Sequence, residues 1–235
     1  MRKISWCITL KNRCIPKWEY IPTGEIFSIS LLENNLRQLL SLQQSDEHWE
    51  ICISDWKSTD VNVGEYVTNL ISTTQHEGKV TARMVSVNSD KFSRGKGRNS
   101  AYNISKFDNI FFLDADMFFK DRTVIDNSYT HLNNQLSYFP ICSSYLDRKH
   151  SRYRLRDSGT GNVSINRDML ESKPGLWLEK YTWGGEDSDL YNHFNKQQKV
   201  IRDYTETFFH QWHPADIKKP GLIEAVDADL YRIIK

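Results

Sequence analysis

Apolar and polar positions follow two rhythms along the first half of the chain. Residues 6–10 (Trp-Cys-Ile-Thr-Leu) and 49–53 (Trp-Glu-Ile-Cys-Ile) are short, rich in β-formers and run into polar loops, which predicts strands. Between them Phe27, Leu31, Leu32, Leu36, Leu39 and Leu40 recur at helical spacing, predicting an amphipathic helix over about residues 25–42. Tyr66, Leu70 and Ile71 predict a second helix, residues 79–87 a third strand, and Ala101, Ile104 and Phe107 a third helix. The run Ile110-Phe111-Phe112-Leu113 is apolar without interruption, the pattern of a strand buried on both faces. Strands and helices in strict alternation predict an α/β domain with a largely parallel sheet.

The second half reads differently. Residues 137–143 predict a strand. Residues 147–156 form a basic run with little periodicity, predicting a mobile loop. Residues 159–165 are a glycine-led short strand. A double glycine, Gly184-Gly185, opens a helix running to about Asn195, and residues 222–234 have the pattern of a C-terminal helix.

Chemistry concentrates where these elements end. The buried run at 110–113 stops in Asp114-Ala115-Asp116. Two carboxylates at the end of a buried strand are costly unless neutralised, and a hard divalent cation with several oxygen ligands does this well. An ordinary acidic turn fits the bare motif equally. Arg94 to Asn99 is basic and carries two glycines; the arginine fork suits phosphate and glycine lets backbone approach a ligand. Asp55 ends the second strand, on the same sheet edge as Asp114 if the sheet is parallel, either as a partner of a nucleobase or ribose or as a turn-initiating residue. Glu186, Asp187 and Asp189 fall in the first turn of a helix, where the dipole favours acids. Trp183 just ahead offers an apolar platform beside a carboxylate able to act as general base. His210 and His213 lie three apart near the end of the chain, and imidazole ligates borderline metals such as Mn²⁺.

Composition narrows the class. The chain has 235 residues, 31 basic and 30 acidic, for a net charge of +1, which argues against a general nucleic-acid binder. Its length suits a single domain. Cys7, Cys14, Cys52 and Cys142 form no Cys-x-x-Cys pair, so neither a zinc nor a redox motif is indicated and a reduced, cytoplasmic compartment is expected. No apolar run is long enough to cross a membrane; the basic run Arg148 to Arg156 leaves peripheral contact with anionic lipid open.

In order and spacing, these motifs resemble the glycosyltransferases of the GT-A fold. They are similar to the family 2 inverting enzymes, and Trp-Gly-Gly-Glu-Asp-x-Asp is similar to a family 7 galactosyltransferase motif. The resemblance implies a three-layer α/β/α sandwich around a mostly parallel sheet, with residues 1–118 as a nucleotide-sugar half and 119–235 as an acceptor half. It implies a metal-dependent, inverting transfer from a nucleoside-diphosphate sugar, UDP favoured, to a hydroxyl of a glycan or lipid-linked glycan in surface polysaccharide synthesis, with Mn²⁺ or Mg²⁺. Thr9, Leu10, Asn12, Arg13, Asp55, Arg94, Arg98, Asn99, Asp114 and Ala115 match the nucleotide-sugar contacts. Asp116, with His210 or His213, matches the metal ligands. Glu186 and Asp187 match the acceptor acid and the catalytic base, and Trp183, Gly184, Gly185 and Gly161 fall beside the substrate. The loop Asp55-Trp56-Lys57-Ser58 departs from the usual Asp-Asp-Gly-Ser. Two alternatives stand beside this reading: a sugar nucleotidyltransferase, and a non-catalytic carbohydrate-binding homologue.

Overall fold

The computed structural model describes residues 1–181, 184–214 and 230–234. The alternating first half folds as its pattern predicts. Strands β1 (Arg2–Leu10), β4 (Glu47–Asp55), β5 (Lys79–Ser86) and β6 (Asn109–Asp114) are linked by helices α1 (Leu31–Ser41), α2 (Val63–Thr73) and α3 (Arg94–Ile104). They lie mutually parallel in a seven-stranded sheet, which β11 (Val163–Asn166), β8 (Ser137–Tyr138) and β12 (Val200–Ile201) complete in the order β12-β8-β11-β6-β1-β4-β5. Strand β11 is antiparallel to both neighbours.

Both sheet faces are covered. Ile4, Trp6, Ile8 and Leu10 of β1 face α1, α2 and α4 (Thr123–Asn133), in one core with Leu36, Val67 and Ile125. Cys7, Cys52, Ile110 and Phe112 face the other way, towards α3, α5 (Arg167–Glu171) and α6 (Glu186–Asn195), in a core with Tyr102, Leu170 and Leu190. The alternation along β1 is the strand period of two, and it sorts the helices into the two outer layers of an α/β/α sandwich. Burying each such side chain contributes about 1.5–3 kcal/mol.

Two smaller sheets complete the fold. After Asp114 the chain turns through Ala115 and Asp116 into β7 (Met117–Phe119), which leaves the central sheet for a four-stranded one. Its order is β10-β9-β13-β7, with β9 (Ile141–Tyr145), β10 (Tyr153–Arg156) and β13 (Tyr204–His210). A three-stranded sheet pairs β2 (Lys17–Tyr20) with β3 (Glu25–Ser28) and with β14 (Tyr231–Ile234) from the far end of the chain.

Four expectations are corrected. The helix expected over 25–42 begins only at Leu31, because residues 25–28 pair with β2 and Phe27 packs on Trp18. Residues 137–143 split at Phe139-Pro140 into β8 and β9 of different sheets. The basic run is ordered: Asp147 accepts hydrogen bonds from the backbone of Lys149, Ser151 and Arg152, and residues 153–156 form an edge strand on β9. Of the C-terminal helix expected over 222–234, residues 231–234 are a strand, and 222–229 lie outside the described residues.

Candidate active site

Strand register sets the floor of the site. Thr9 lies opposite Asp114 and Leu10 opposite Asp55, so the four expected residues share one edge at the carboxyl ends of three adjacent strands. The chain leaves β1 towards β4 on one side and returns as β6 on the other, with α1 and α3 on opposite faces. Such a switch point opens the crevice in which α/β sheets bind ligands.

The loops above β1 and β4 are laced together. Asn12, at a φ of 51°, donates its N–H to Ser58 Oγ at 2.9 Å and accepts from the Thr59 N–H through Oδ1 at 2.7 Å. Asp55 Oδ1 accepts from the N–H and hydroxyl of Ser58, the turn-initiating role weighed above. Lys57 has a φ of 54°. It therefore adopts the left-handed backbone that the usual glycine at this place favours, and the altered motif keeps its turn. Arg13 holds the start of α1 through its carbonyl, which accepts from the Leu32 N–H.

Helix α3 begins at Arg94, so the basic segment is the helix's own first turns rather than a lead-in. Its glycines let it sit directly on the Leu178 backbone and the Thr9 side chain. A Cβ on Gly97 would stand 2.2 Å from Thr9 Cγ2, and one on Gly95 2.1 Å from the Leu178 carbonyl oxygen. This close seating brings Arg98, one turn along from Arg94, to Asp114: Arg98 Nη2 donates to Asp114 Oδ1 at 3.0 Å. The Arg98 guanidinium lies 4.2 Å from the centre of the Trp177 ring. Asp114 also donates its N–H to Asn162 Oδ1, and its carbonyl accepts from buried Asn35. Burial pushes the Asp114 carboxyl up, but Arg94 and Arg98 outweigh it and hold the group below the usual carboxylate range. Burial pulls the Arg94 guanidinium down, and the surrounding carboxylates of Asp114, Glu186, Asp116 and Asp187 more than restore it. Gly161 completes this corner; a Cβ there would stand 2.8 Å from Arg98 Nη2. Asn99 faces elsewhere, binding the backbone of Trp177 and the carboxylate of Glu179.

Ala115 is buried in the core, and Asp116 stands at the corner between the two sheets. Strand β13 pairs antiparallel with β7, placing His210 opposite Met117. His210 Nε2 lies 3.6 Å and His213 Nε2 3.4 Å from Asp116 Oδ2. The three side chains offer ligand atoms all within 4.8 Å of one another. Asp116 Oδ1 and His213 Nε2 are buried without a hydrogen-bond partner. His213 Nδ1 lies 2.8 Å from the Pro214 carbonyl oxygen; donating there leaves the Nε2 lone pair facing Asp116. Buried unpaired acceptors are costly, and one carboxylate with two imidazoles fits a borderline divalent cation such as Mn²⁺. Burial raises the Asp116 carboxyl; the charge and hydrogen bonds of His210 and His213, when these carry the proton, more than reverse this and hold it well below the usual range.

The three acids of α6 separate. Gly184 and Gly185, at φ of 83° and 94°, make the sharp turn that starts the helix. Glu186 is buried, with Oε1 3.7 Å from Arg94 Nη1. Asp189 pairs at 2.7 Å with buried Lys173, which also donates to the Leu176 carbonyl. Asp187 is half-buried, accepts from the Ser188 N–H and lies close enough to influence Arg94 and Arg98. Trp183 lies outside the described residues.

The architecture matches solved structures. Staphylococcus aureus TarS in complex with UDP-GlcNAc superposes with a TM-score of 0.66 at 10% identity, covering 92% of this chain and 60% of that one. Mannosyltransferase PcManGT from Pyrobaculum calidifontis, in complex with GDP-Man and Mn²⁺, gives 0.60 at 12% identity, covering 92% and 57%. The fold is that of the GT-A glycosyltransferases. A nucleotide-handling synthase, the Anaerococcus prevotii 4-diphosphocytidyl-2C-methyl-D-erythritol synthase, gives 0.55 at 13% identity, covering 87% and 88%. The chain thus spans about three-fifths of the length of the TarS and PcManGT structures. No family model and no curated sequence matches it.

Sequence reasoning missed several residues here. Asn35, Asn162 and Lys173 carry no motif, being isolated polar positions whose partners lie far along the chain. Gln211 is the most telling. Buried between the two histidines, it donates through Nε2 to the Leu31 and Met117 carbonyls, accepts from Asn34 through Oε1, and donates its N–H to the Asp116 carbonyl at 2.7 Å. Its place between His210 and His213 was the one available signal.

Proposed function

We propose that this chain is a metal-dependent, inverting glycosyltransferase that moves a sugar from a nucleoside-diphosphate donor, UDP favoured, to a hydroxyl of a glycan acceptor. The observation that carries the reading is the unpartnered Asp116–His210–His213 cluster, set beside Asp114 and Arg98 at the switch point of a GT-A sheet. Thr9, Asn12, Arg13 and Asp55 line the nucleoside end, Leu10, expected there too, is instead buried in the core beneath them, and Ala115 spaces the two aspartates. Residues 1–118 chiefly serve the donor and 119–235 the acceptor. Surface polysaccharide synthesis is the expected setting. No helix among the described residues is long and apolar enough to cross a membrane; peripheral membrane contact is an additional proposal.

In this mechanism Asp116, with His210 and His213, would hold Mn²⁺ or Mg²⁺, and the ion would supply charge stabilisation for the departing diphosphate. Arg94 adds a second cationic group to that leaving group, and preorganised charge of this kind is a large catalytic effect. Asp114, kept ionised by Arg98, hydrogen-bonds the ribose or donor sugar. Glu186 and the turn at Gly184-Gly185, with Trp183 and Gly161, position the sugars. Asp187 takes the proton as the acceptor oxygen bonds to the anomeric carbon; the bond from that carbon to phosphate oxygen breaks, and the diphosphate leaves with its electron pair. Asp187→Asn should lower turnover at least about 10³-fold, of the order seen for general-base loss, while UDP affinity in calorimetry stays within twofold. Equal loss of both would remove Asp187 from the role of base.

The likeness to a diphosphocytidyl synthase keeps a nucleotidyltransferase reading in view. The loop after β1, Lys11-Asn12-Arg13-Cys14, lacks the glycines expected of that class. Product analysis separates them: released nucleoside diphosphate supports transfer of sugar, and pyrophosphate supports transfer of nucleotide. Failure to bind UDP, GDP or dTDP with or without Mn²⁺ would favour a non-catalytic carbohydrate binder.

A further inference from the structure

A pocket of about 280 Å³ opens on the outer side of the turn that carries His210 and His213, with Gln211 and Trp212 of that turn in its wall. Its other polar walls are Ser28 at the end of β3, Ser30 and Asn34 from the start of α1, and Arg148 and His150 from the loop before β10. We infer that this pocket binds an anionic sugar unit, one bearing a carboxylate or phosphate, as part of the acceptor. Its role as an acceptor subsite rests on the transferase reading; its ligand chemistry does not.

The argument begins with charge. The lining contains one guanidinium, Arg148, an imidazole, His150, that burial holds below its ordinary value, hydroxyls and amides, and no carboxylate. The donor side of the same turn gathers Asp114, Asp116, Glu186 and Asp187 around its arginines. A neutral sugar is commonly held by carboxylates accepting from its hydroxyls; a wall of donors without acids suits a ligand that brings its own negative charge. The Arg148 guanidinium lies 4.4 Å from the centre of the Phe27 ring, and Glu25 at 3.1 Å is its carboxylate partner. Both ends of that pair are exposed, so it exchanges readily for a better-placed anion.

Shape supports a sugar. Trp212 is half-buried, parallel to Phe27 at 6.3 Å and edge-on to Tyr231 at 5.7 Å, which fixes its plane. A fixed indole gives a pyranose C–H face its platform, while Ser28, Ser30 and Asn34 offer partners for hydroxyls. The loop is built to hold Arg148 and His150: Asp147 gathers the hydrogen bonds of Lys149, Ser151 and Arg152 around them, and the His150 ring stacks on Tyr145 at 4.2 Å. A membrane surface would instead call for protruding apolar groups; the one aliphatic side chain in this wall is Ile29.

The test uses the full chain with saturating UDP and Mg²⁺, so that the donor side is filled, and follows the indole N–H signals by NMR. Glucuronate and glucose 6-phosphate should bind at least about tenfold more tightly than glucose and shift the Trp212 signal. The exposed double variant Arg148→Gln/His150→Gln should lose that preference with UDP affinity unchanged. Equal binding of glucose, a shift confined to other residues, or a preference that survives the double variant overturns the assignment. So does capture by phosphatidylglycerol vesicles, abolished in the variant, with no sugar binding; that result assigns the basic loop to a lipid surface. Intact UDP binding with no sugar binding also overturns the pocket alone. Anionic preference without UDP binding overturns the donor reading and leaves the pocket standing.

Discussion

Asp114 and Asp116 are two residues apart and face opposite situations. Asp114 ends a strand of the central sheet and is partnered within the chain: Arg98 on its carboxylate, Asn162 and Asn35 on its backbone. Asp116 stands on the corner between sheets with one carboxylate oxygen unpartnered and a bare imidazole nitrogen beside it. One carboxylate has its cation in the chain; the other is short of one. A motif that reads as a symmetric pair is an internal ion pair next to a carboxylate grouped with two imidazoles, and the two halves should respond to mutation in opposite ways.

The largest effect is expected on the engaged half. Arg98→Met leaves Asp114 without its partner and should cost about 3 kcal/mol of stability in urea unfolding, the low end for a broken buried pair because Asp114 keeps some contact with water. Asp116→Asn at pH 8 should change stability by less than about 1 kcal/mol, since it removes a charge that lacks a cation. The same variant should weaken Mn²⁺ binding at least about 100-fold, at or beyond the top of the range for changes that only support a ligand. A large stability loss in Asp116→Asn, or unchanged Mn²⁺ affinity, would break the contrast. Gln211→Leu sharpens it: with the histidine turn freed from Leu31, Met117 and Asn34, Mn²⁺ affinity should fall about tenfold while the Arg98–Asp114 corner is unaffected. Calorimetry with Mn²⁺ and with UDP reads the two halves separately.

Much of this was legible in the sequence, and unevenly so. The run from β1 to β6 could be read because each element is set by its own neighbours: continuous apolar strands, helices with one apolar face. Asp114, Asp116 and the acids of α6 could be placed because they end such elements. The β2–β3 hairpin could not, since its partner β14 lies some two hundred positions on and Phe27 keeps helical spacing with Leu31. Nor could the separate allegiances of Glu186 and Asp189, which depend on where Arg94 and Lys173 happen to come in space. Family 7 similarity has no support from a matching family model.

The smallest expected effect concerns the loop opposite the site. Backbone donors around Ser151 hold the Asp147 carboxyl down at about 2. Its unfolded value is about 3.9, so the order it confers is complete above that value and is lost as pH falls towards 2. The protection of the Lys149, Ser151 and Arg152 amides, measured against the intrinsic exchange rate at each pH, should fall across that window, with the central sheet still protected. Asp147→Asn should show the lower protection already at neutral pH. Equal protection of the loop at pH 6 and pH 2.5 would remove the carboxylate from this role.

Met117 and Gln211, joined by a hydrogen bond, are 94 positions apart. The cluster they brace therefore comes into being only when β13 has closed on β7. No shorter nascent piece can present both Asp116 and its histidines. An ion that bound the finished cluster and no precursor would add its binding free energy wholly to the completed fold, so cation supply would set how long the folded chain survives proteases.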